Sequence, residues 1–292
     1  YGEGWTAARS PLDESLRAVK RAGPRLPRIA VFGDDLRDAL RGGWGDSTEP
    51  GFVSGKSGLD RNVRFGVVGA TAHFQVGFDS SGDSPVAYGG HSAETINYVS
   101  CHDDLSLVDK LRASAPEGMT EEELVRFDKL AQTVVLTAQG IPSLFAGEEM
   151  LRTKGGVSNS HDSPDRVNRI DWSFKADHKD VFDYYRGLIA LRRTHPAFRL
   201  ATAAEIERHL RFLDTGDTHV VAYMLVDHAG DDPWREILVV YNGARAEKRV
   251  RIPPGDWHAV CLDGRIASEA LAVFSGDSVP VPASSALIAY LP

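Results

Sequence analysis

Cysteine is scarce in this sequence. Cys101 and Cys261 are the two cysteines in 292 residues. They lie far apart in the chain and make no cluster of metal-ligand type, so both read as buried free thiols. They leave the redox compartment, and with it the location, open. Long apolar runs are missing too: no stretch approaches the run of about 20 residues that a membrane-spanning helix needs, and no charged-then-apolar leader opens the chain. The first residue is Tyr1 rather than Met. It falls inside what reads as a strand-to-loop junction, so the expectation is a segment that begins in the middle of a longer protein. Basic charge is outnumbered, with 33 Lys and Arg against 41 Asp and Glu, a formal net charge of -8. That balance argues against a nucleic-acid backbone or an anionic membrane as main partner, since both call for a basic face. A neutral or cationic ligand fits better.

What is present is ordinary globular material, 42% hydrophobic and 25% charged, enough for a substantial core. From the start to about residue 200, short β-branched runs alternate with helix-period segments. "RIAVFGDD" (28–35), "ETINYVSCHDD" (94–104) and "GIPSLFAGEE" (140–149) each read as a strand that stops on polar residues. Between the last two, Thr120 and Glu123 stand at capping-box spacing. Leu124, Phe127, Ala131, Val134 and Ala138 then share one helical face. A second helix carries Val181, Tyr184, Tyr185, Leu188 and Arg192 at the same spacing, with Pro196 marking its end. Strand, polar loop, helix, strand is the grammar of an α/β protein with parallel strands. Residues 42–94, rich in Gly, Ser and Asp, are too long for an ordinary connection and read as a functional loop region with short helices of its own.

After about residue 201 the grammar changes. "HLRFL", "HVVAYMLV", "REILVVYNG", "KRVRIPPG", "WHAVCL" and "SALIAYL" are strand-like runs separated by Gly, Pro and Asp, the pattern of an antiparallel sandwich. The division is therefore residues 1–200 as an α/β unit and 201–292 as a β-sandwich. No repeat at a solenoid period and no low-complexity tract appears.

In parallel α/β barrels, the loops at the carboxyl ends of the strands converge over one mouth. Polar residues closing four runs are therefore expected to point at one place: Glu3 in "YGEGW", Asp34 and Asp35, His102 with Asp103, and Glu148 with Glu149. Any one acid after a strand is more often a helix cap, so the weight lies in the combination. Glu3 sits between two glycines and is followed by Trp5, placing an aromatic face beside a carboxyl group. A pyranose has an apolar face and a rim of hydroxyls, and carboxylates and imidazole bind such hydroxyls. Other readings stay open at this point. A His-Asp doublet also serves metal-dependent phosphohydrolases, but there in an all-helical bundle. The acids could hold Ca²⁺, yet no Asp-x-Asp-x-Asp-Gly loop occurs, so no cofactor or metal is called for. A noncatalytic carbohydrate-binding or scaffold segment is a third reading.

Six ordered segments, "YGEGW", "DLRDALRGG", "INYVSCHDDLSLVDKL", "AGEEMLRTK", "NSHDSPDRVNRIDW" and "YYRGLIALRRTHPAF", resemble the type I pullulanases, α-1,6-glucan debranching enzymes of the α-amylase superfamily. "VVYNGARAEKRVRIPPGDW" resembles that family's carboxyl-terminal sandwich. The resemblance implies the second half of a (β/α)₈ TIM barrel followed by an antiparallel β-sandwich, and an α-glucan polysaccharide as partner. It implies Glu3 as the general acid/base, His102 and Asp103 as the pair that binds and distorts the sugar being cleaved, and Trp5 as an aromatic platform. Asp165, Asn168 and Arg169, in the loop after the eighth strand, are implied glucan-binding residues. Three positions depart from the family pattern: Asp104 stands where Asn is usual, Val108 where many relatives have Trp, and Thr6 where Asp follows "EGW".

A retaining glycosidase needs two carboxyl groups about 5 Å apart, one acid/base and one nucleophile. The family's nucleophile lies in a "GFRFD"-like segment that this sequence does not contain. The expectation is a chain that is inactive alone and has the amino-terminal half of the same barrel as its partner. An isoamylase or glycogen branching enzyme of the same superfamily is the alternative.

Overall fold

The computed structural model describes residues 29–77 and 87–292. Glu3 and Trp5 lie outside the described residues, as does the first of the four expected strand ends.

The α/β unit is built on three short strands, β1 (Val31–Phe32), β2 (Thr95–Asn97) and β3 (Ile141–Pro142). They pair in parallel and in sequence order, Phe32 against Ile96 and Ile96 against Ile141. Parallel neighbours require a crossover, and helices fill each one. Between β1 and β2 run α1 (Asp34–Arg41) and α2 (Asp60–Val67). Between β2 and β3 run α3 (Leu107–Ala113) and α4 (Glu121–Thr137). The expected capping box opens α4: Glu123 N–H donates to Thr120 Oγ1 at 3.2 Å, and Thr120 N–H donates to Glu123 at 3.1 Å, worth about 1 kcal/mol. After β3 come the single turns α5 (Asp165–Asn168) and α6 (Phe174–Asp177), then the long α7 (Lys179–Thr194). Arg192 of α7 is buried because its guanidinium donates to the carbonyls of Leu136, Ala138 and Gly140, at 3.0, 2.8 and 2.6 Å. It thereby satisfies the orphan carbonyls at the end of α4.

After a short α8 (Ala203–His209), the chain forms one seven-stranded antiparallel sheet. Its strands are β4 (Leu210–Leu213), β5 (Val220–Leu225), β6 (Glu236–Asn242), β7 (Lys248–Leu262), β8 (Arg265–Ile266), β9 (Ala272–Val281) and β10 (Ser285–Leu291). Two sequence expectations are corrected here. "KRVRIPPG" and "WHAVCL" are one 15-residue strand, because the β7–β9 ladder survives Pro253 and Pro254 by shifting register between Arg251 and Gly255. β9 was not anticipated, since Ser275, Gly276, Asp277 and Pro280 carry turn chemistry.

Alternation assigns the two faces of the sheet to different cores. Tyr223, Val239, Tyr241 and Ile288 join the helices in one cluster. On the other face Ala222, Val240 and Leu287 cluster with Val250, Ile252, Val279 and Val281 from the part of the β7–β9 ribbon that β10 does not reach. Polar contacts fasten the helices to the sheet: Tyr223 Oη donates to Thr137 O at 3.0 Å, and Tyr184 Oη lies 3.3 Å from Cys261 Sγ. Both cysteines are free; Cys261 is buried, whereas Cys101 is half-buried. Among the described residues, no helix is long and apolar enough to cross a membrane.

Candidate functional site

The three strand ends meet side by side. Beyond β2 the side chains alternate: Tyr98 Oη donates to Asp34 Oδ1 on the β1 side at 2.6 Å, and Ser100 Oγ donates to Glu148 on the β3 side. Past Ser100 the chain leaves the interior, and His102 and Asp103 stand with side chains 82% and 70% exposed. His102 Nε2 lies 3.4 Å from Asp103 Oδ1.

The side chains are exposed, but the backbone beneath them is held. Lys154, buried, donates through Nζ to His102 O at 3.2 Å, to Asp104 O and to Ser158 O at 3.0 Å. Asp104, in the left-handed region at φ 62°, accepts from Arg41 Nη2 at 2.8 Å and from Ser158 Oγ at 3.1 Å. Arg41 also donates to Leu105 O at 3.1 Å. Burial lowers the affinity of both cations for their protons, and Asp104 opposes the shift in each. Asp109 completes the frame: it accepts from Ser106, which caps α3, and from the Lys154 N–H at 2.7 Å. Gly42, at φ 93°, turns the chain out of α1 so closely that a Cβ there would meet Glu49 O at 1.9 Å. The turn lets the Asp46 and Glu49 carbonyls reach Lys110 of α3, at 2.6 and 3.0 Å.

The carboxylates expected to converge divide into two kinds. His102 and Asp103 reach solvent. Glu148 does not: it is 2% exposed, accepts from Gln132 Nε2 at 3.1 Å and Phe145 N–H at 3.0 Å, and burial pushes its carboxyl up to about 8. It belongs to the core, as does Asp35. Glu149 folds back onto the Gly147 N–H at 2.9 Å.

The loop after β3 carries the other candidates. Asp165 and Arg169 are exposed. Asn168 donates its amide N–H groups to Ser160 O and Ser163 O, at 2.6 and 3.0 Å, which ties the loop to itself. Arg169 and Lys154 share the wall of a cavity of about 430 Å³ with Arg152, Arg166 and Phe174. Lys154 thus joins this loop to the one bearing His102. Among the described residues no hydrogen bond or ion pair links His102 or Asp103 to Asp165, Asn168 or Arg169. A cavity of equal volume elsewhere, between α4, α7 and β8, has two of its cations already paired: Arg126 with Asp263 at 2.7 Å and Lys129 with Asp180 at 3.0 Å.

Arg41 and Lys154 were not anticipated from sequence. Trp44 and Trp172, 59% and 66% exposed, also went unremarked. The signal was there for Trp44, an aromatic flanked by Gly43 and Gly45 as Trp5 follows Gly4.

A family model described as "Pullulanase, all-beta domain" matches residues 206–265. The pullulanase of Bacillus subtilis (strain 168) is 35% identical over 253 residues, 87% of this chain and 34% of that protein. The solved pullulanase from Bacillus acidopullulyticus superposes with a TM-score of 0.88 at 40% identity, covering 99% of this chain and 34% of that one. The Paenibacillus barengoltzii pullulanase complexed with maltohexaose and alpha-cyclodextrin gives 0.83 at 39% identity, covering 97% and 42%. The chain therefore spans about a third of the length of the B. subtilis and B. acidopullulyticus proteins.

Proposed function

We propose, from the premise that this chain belongs to the pullulanase family, that it is the carboxyl-terminal part of a retaining α-glucan debranching hydrolase acting on α-1,6 linkages. Residues 1–200 would supply half of a (β/α)₈ barrel and residues 201–292 a β-sandwich. A maltohexaose complex in the P. barengoltzii pullulanase supports an α-glucan as the ligand.

The observation that carries the reading is the contrast at the β2 loop. His102 and Asp103 are exposed while the carbonyls on either side of Asp103 are fixed by Lys154. Donors and acceptors held in place before the ligand arrives lose little entropy on binding. In this reading, Asp103 accepts hydrogen bonds from two sugar hydroxyls and His102 adds a third contact. Both strengthen as the ring flattens and positive charge develops at its anomeric carbon. Asp165 and Arg169 bind further along the glucan. Asn168 holds their loop and offers one acceptor. Glu3 protonates the glycosidic oxygen, with Trp5 beneath the leaving sugar.

The sequence has no "GFRFD"-like segment, so the nucleophilic carboxylate comes from the other half of the barrel, and this chain alone does not hydrolyse glycosidic bonds. Calorimetry of the 292-residue chain with maltotriose tests the binding half of the proposal. Binding that weakens at least about tenfold in Asp103→Asn, the loss of a charge-assisted hydrogen bond, is expected. Equal affinity of wild type and Asp103→Asn would exclude Asp103 from the sugar site.

A further inference from the structure

The sequence alone shows no metal cluster, because its two cysteines are far apart. The folded β2 loop brings one of them into a different company. Cys101 Sγ lies 3.9 Å from Asp103 O, so the loop folds back over the thiol. One ligand atom each from Cys101, His102 and Asp103 then falls within 4.8 Å of the others. We propose that Cys101, His102 and Asp103 form an exchangeable site for a borderline-soft divalent cation of the zinc type, and that the cation and an α-glucan exclude one another there.

Three observations carry this. The first is distance. Around a tetrahedral centre with metal–nitrogen and metal–oxygen bonds of about 2.0–2.1 Å, two such ligands stand about 3.4 Å apart. His102 Nε2 and Asp103 Oδ1 are already 3.4 Å apart. Sulfur, at about 2.3 Å from the metal, belongs about 3.6 Å from each, within reach of a side-chain rotation from the observed grouping.

The second is the donor set. A thiolate, an imidazole and a carboxylate suit Zn²⁺ or Co²⁺ and disfavour Ca²⁺ or Mg²⁺, which take oxygen ligands. Three protein ligands leave the fourth position to water, the arrangement of an open rather than a closed structural site.

The third is preorganisation against electrostatic cost. Lys154 and Arg41 fix the loop, so little backbone is ordered on binding. Their charges would repel a cation, but Asp104 pairs with Arg41 at 2.8 Å, and the Asp104 and Asp109 carboxylates both attract the Lys154 ammonium. The Asp103 carboxylate and the thiolate then set the local field. Binding replaces the thiol proton: Cys–SH and M²⁺ give Cys–S–M⁺ and a released H⁺.

The metal site stands on the geometry alone; the exclusion clause rests on the proposed sugar role of His102 and Asp103. The test is titration of the full 292-residue chain with Co²⁺ under reducing conditions, followed by the sulfur-to-cobalt charge-transfer absorption, with Zn²⁺ as competitor. The expected result is a thiolate–cobalt band that Zn²⁺ displaces. Cys101→Ser should abolish the band, and His102→Ala should raise the apparent Kd at least tenfold. No thiolate band in wild type, or an unchanged band in Cys101→Ser, overturns the inference without touching the sugar reading. Maltotriose, its own binding measured first, should raise the apparent Kd for Co²⁺. A band indifferent to bound maltotriose overturns the exclusion and removes His102 and Asp103 from the sugar site, leaving the metal site in place.

Discussion

Arg41 Nη2 donates to Asp104 Oδ2 across 2.8 Å, with the Arg41 side chain 2% exposed and the Asp104 side chain 12%. The pair joins α1 to the loop that carries His102 and Asp103. The aspartate supplies the charge that a buried guanidinium needs. Removing one partner of such a pair leaves the other buried and unpaired.

Asp104→Ala should therefore lower stability by about 3 kcal/mol, the range for a broken buried pair, and strain the left-handed backbone at this position. Asp104→Asn tolerates that backbone and keeps an acceptor for Arg41, so it should cost about 1 kcal/mol. Urea unfolding of both variants checks the order. Equal losses would contradict that order and mean that the charge on Asp104 carries the whole effect, the acceptor and the backbone contributing nothing.

Lys154 holds three carbonyls at once, two of them flanking Asp103. Lys154→Met removes all three donors while keeping much of the buried stem. Maltotriose binding should weaken by about tenfold, the loss of about 1.4 kcal/mol of preorganisation. Lys154→Arg should recover part of it. If Lys154→Met unfolds more readily yet binds maltotriose as wild type does, the residue is a structural tie and nothing more.

Glu148 and Asp128 predict a pH dependence of stability. Burial pushes Glu148 up to about 8 and Asp128 up to about 7, against ordinary values of 4.5 and 3.8. Between the ordinary and the raised values the native state holds protons that the unfolded chain has released, so stability falls as pH rises. The contribution is complete below about 4 and is lost through pH 7–8. Glu148→Gln, neutral at every pH, should raise Tm at pH 8 relative to wild type and change it little at pH 5. A parallel offset at both values would show that Glu148 does not titrate in this range.

The legible parts of the fold were those written in local pattern. Thr120 and Glu123 announced α4, and the apolar runs of β5, β6 and β10, bounded by Gly, Pro and Asp, announced antiparallel strands, though not that both faces of the sheet are buried. What escaped was written in pairs distant in sequence: Arg41 meets Asp104 63 residues on, and Lys154 meets His102 52 residues back. No local signal tells a clamp from a surface cation. The same limit misplaced Glu148. "AGEE" ends a strand as "CHDD" does, but only the packing of Ser100, Gln132 and Phe145 around it turns one carboxylate inward while Asp103 faces out.

Glu3 lies outside the described residues, so its assignment as acid/base rests on the resemblance and is open to a direct check. In a barrel-complete protein carrying this chain, Glu3→Gln should lower turnover of pullulan by about 10²–10⁴, the scale of losing a proton donor. Substrates with good leaving groups should suffer less. Near wild-type turnover on pullulan would remove Glu3 from the reaction.

The central claim is that Asp103 binds the sugar most tightly in the transition state. The measurement that tests it most directly is kcat and kcat/KM for pullulan in the same barrel-complete protein, with and without Asp103→Asn. An interaction that is partly made in the ground state and strengthens in the transition state lowers kcat by about tenfold and kcat/KM by about a hundredfold or more, the total for a charge-assisted contact worth about 3 kcal/mol. A rise in KM with kcat unchanged would contradict the account, leaving Asp103 a binder of ground-state sugar.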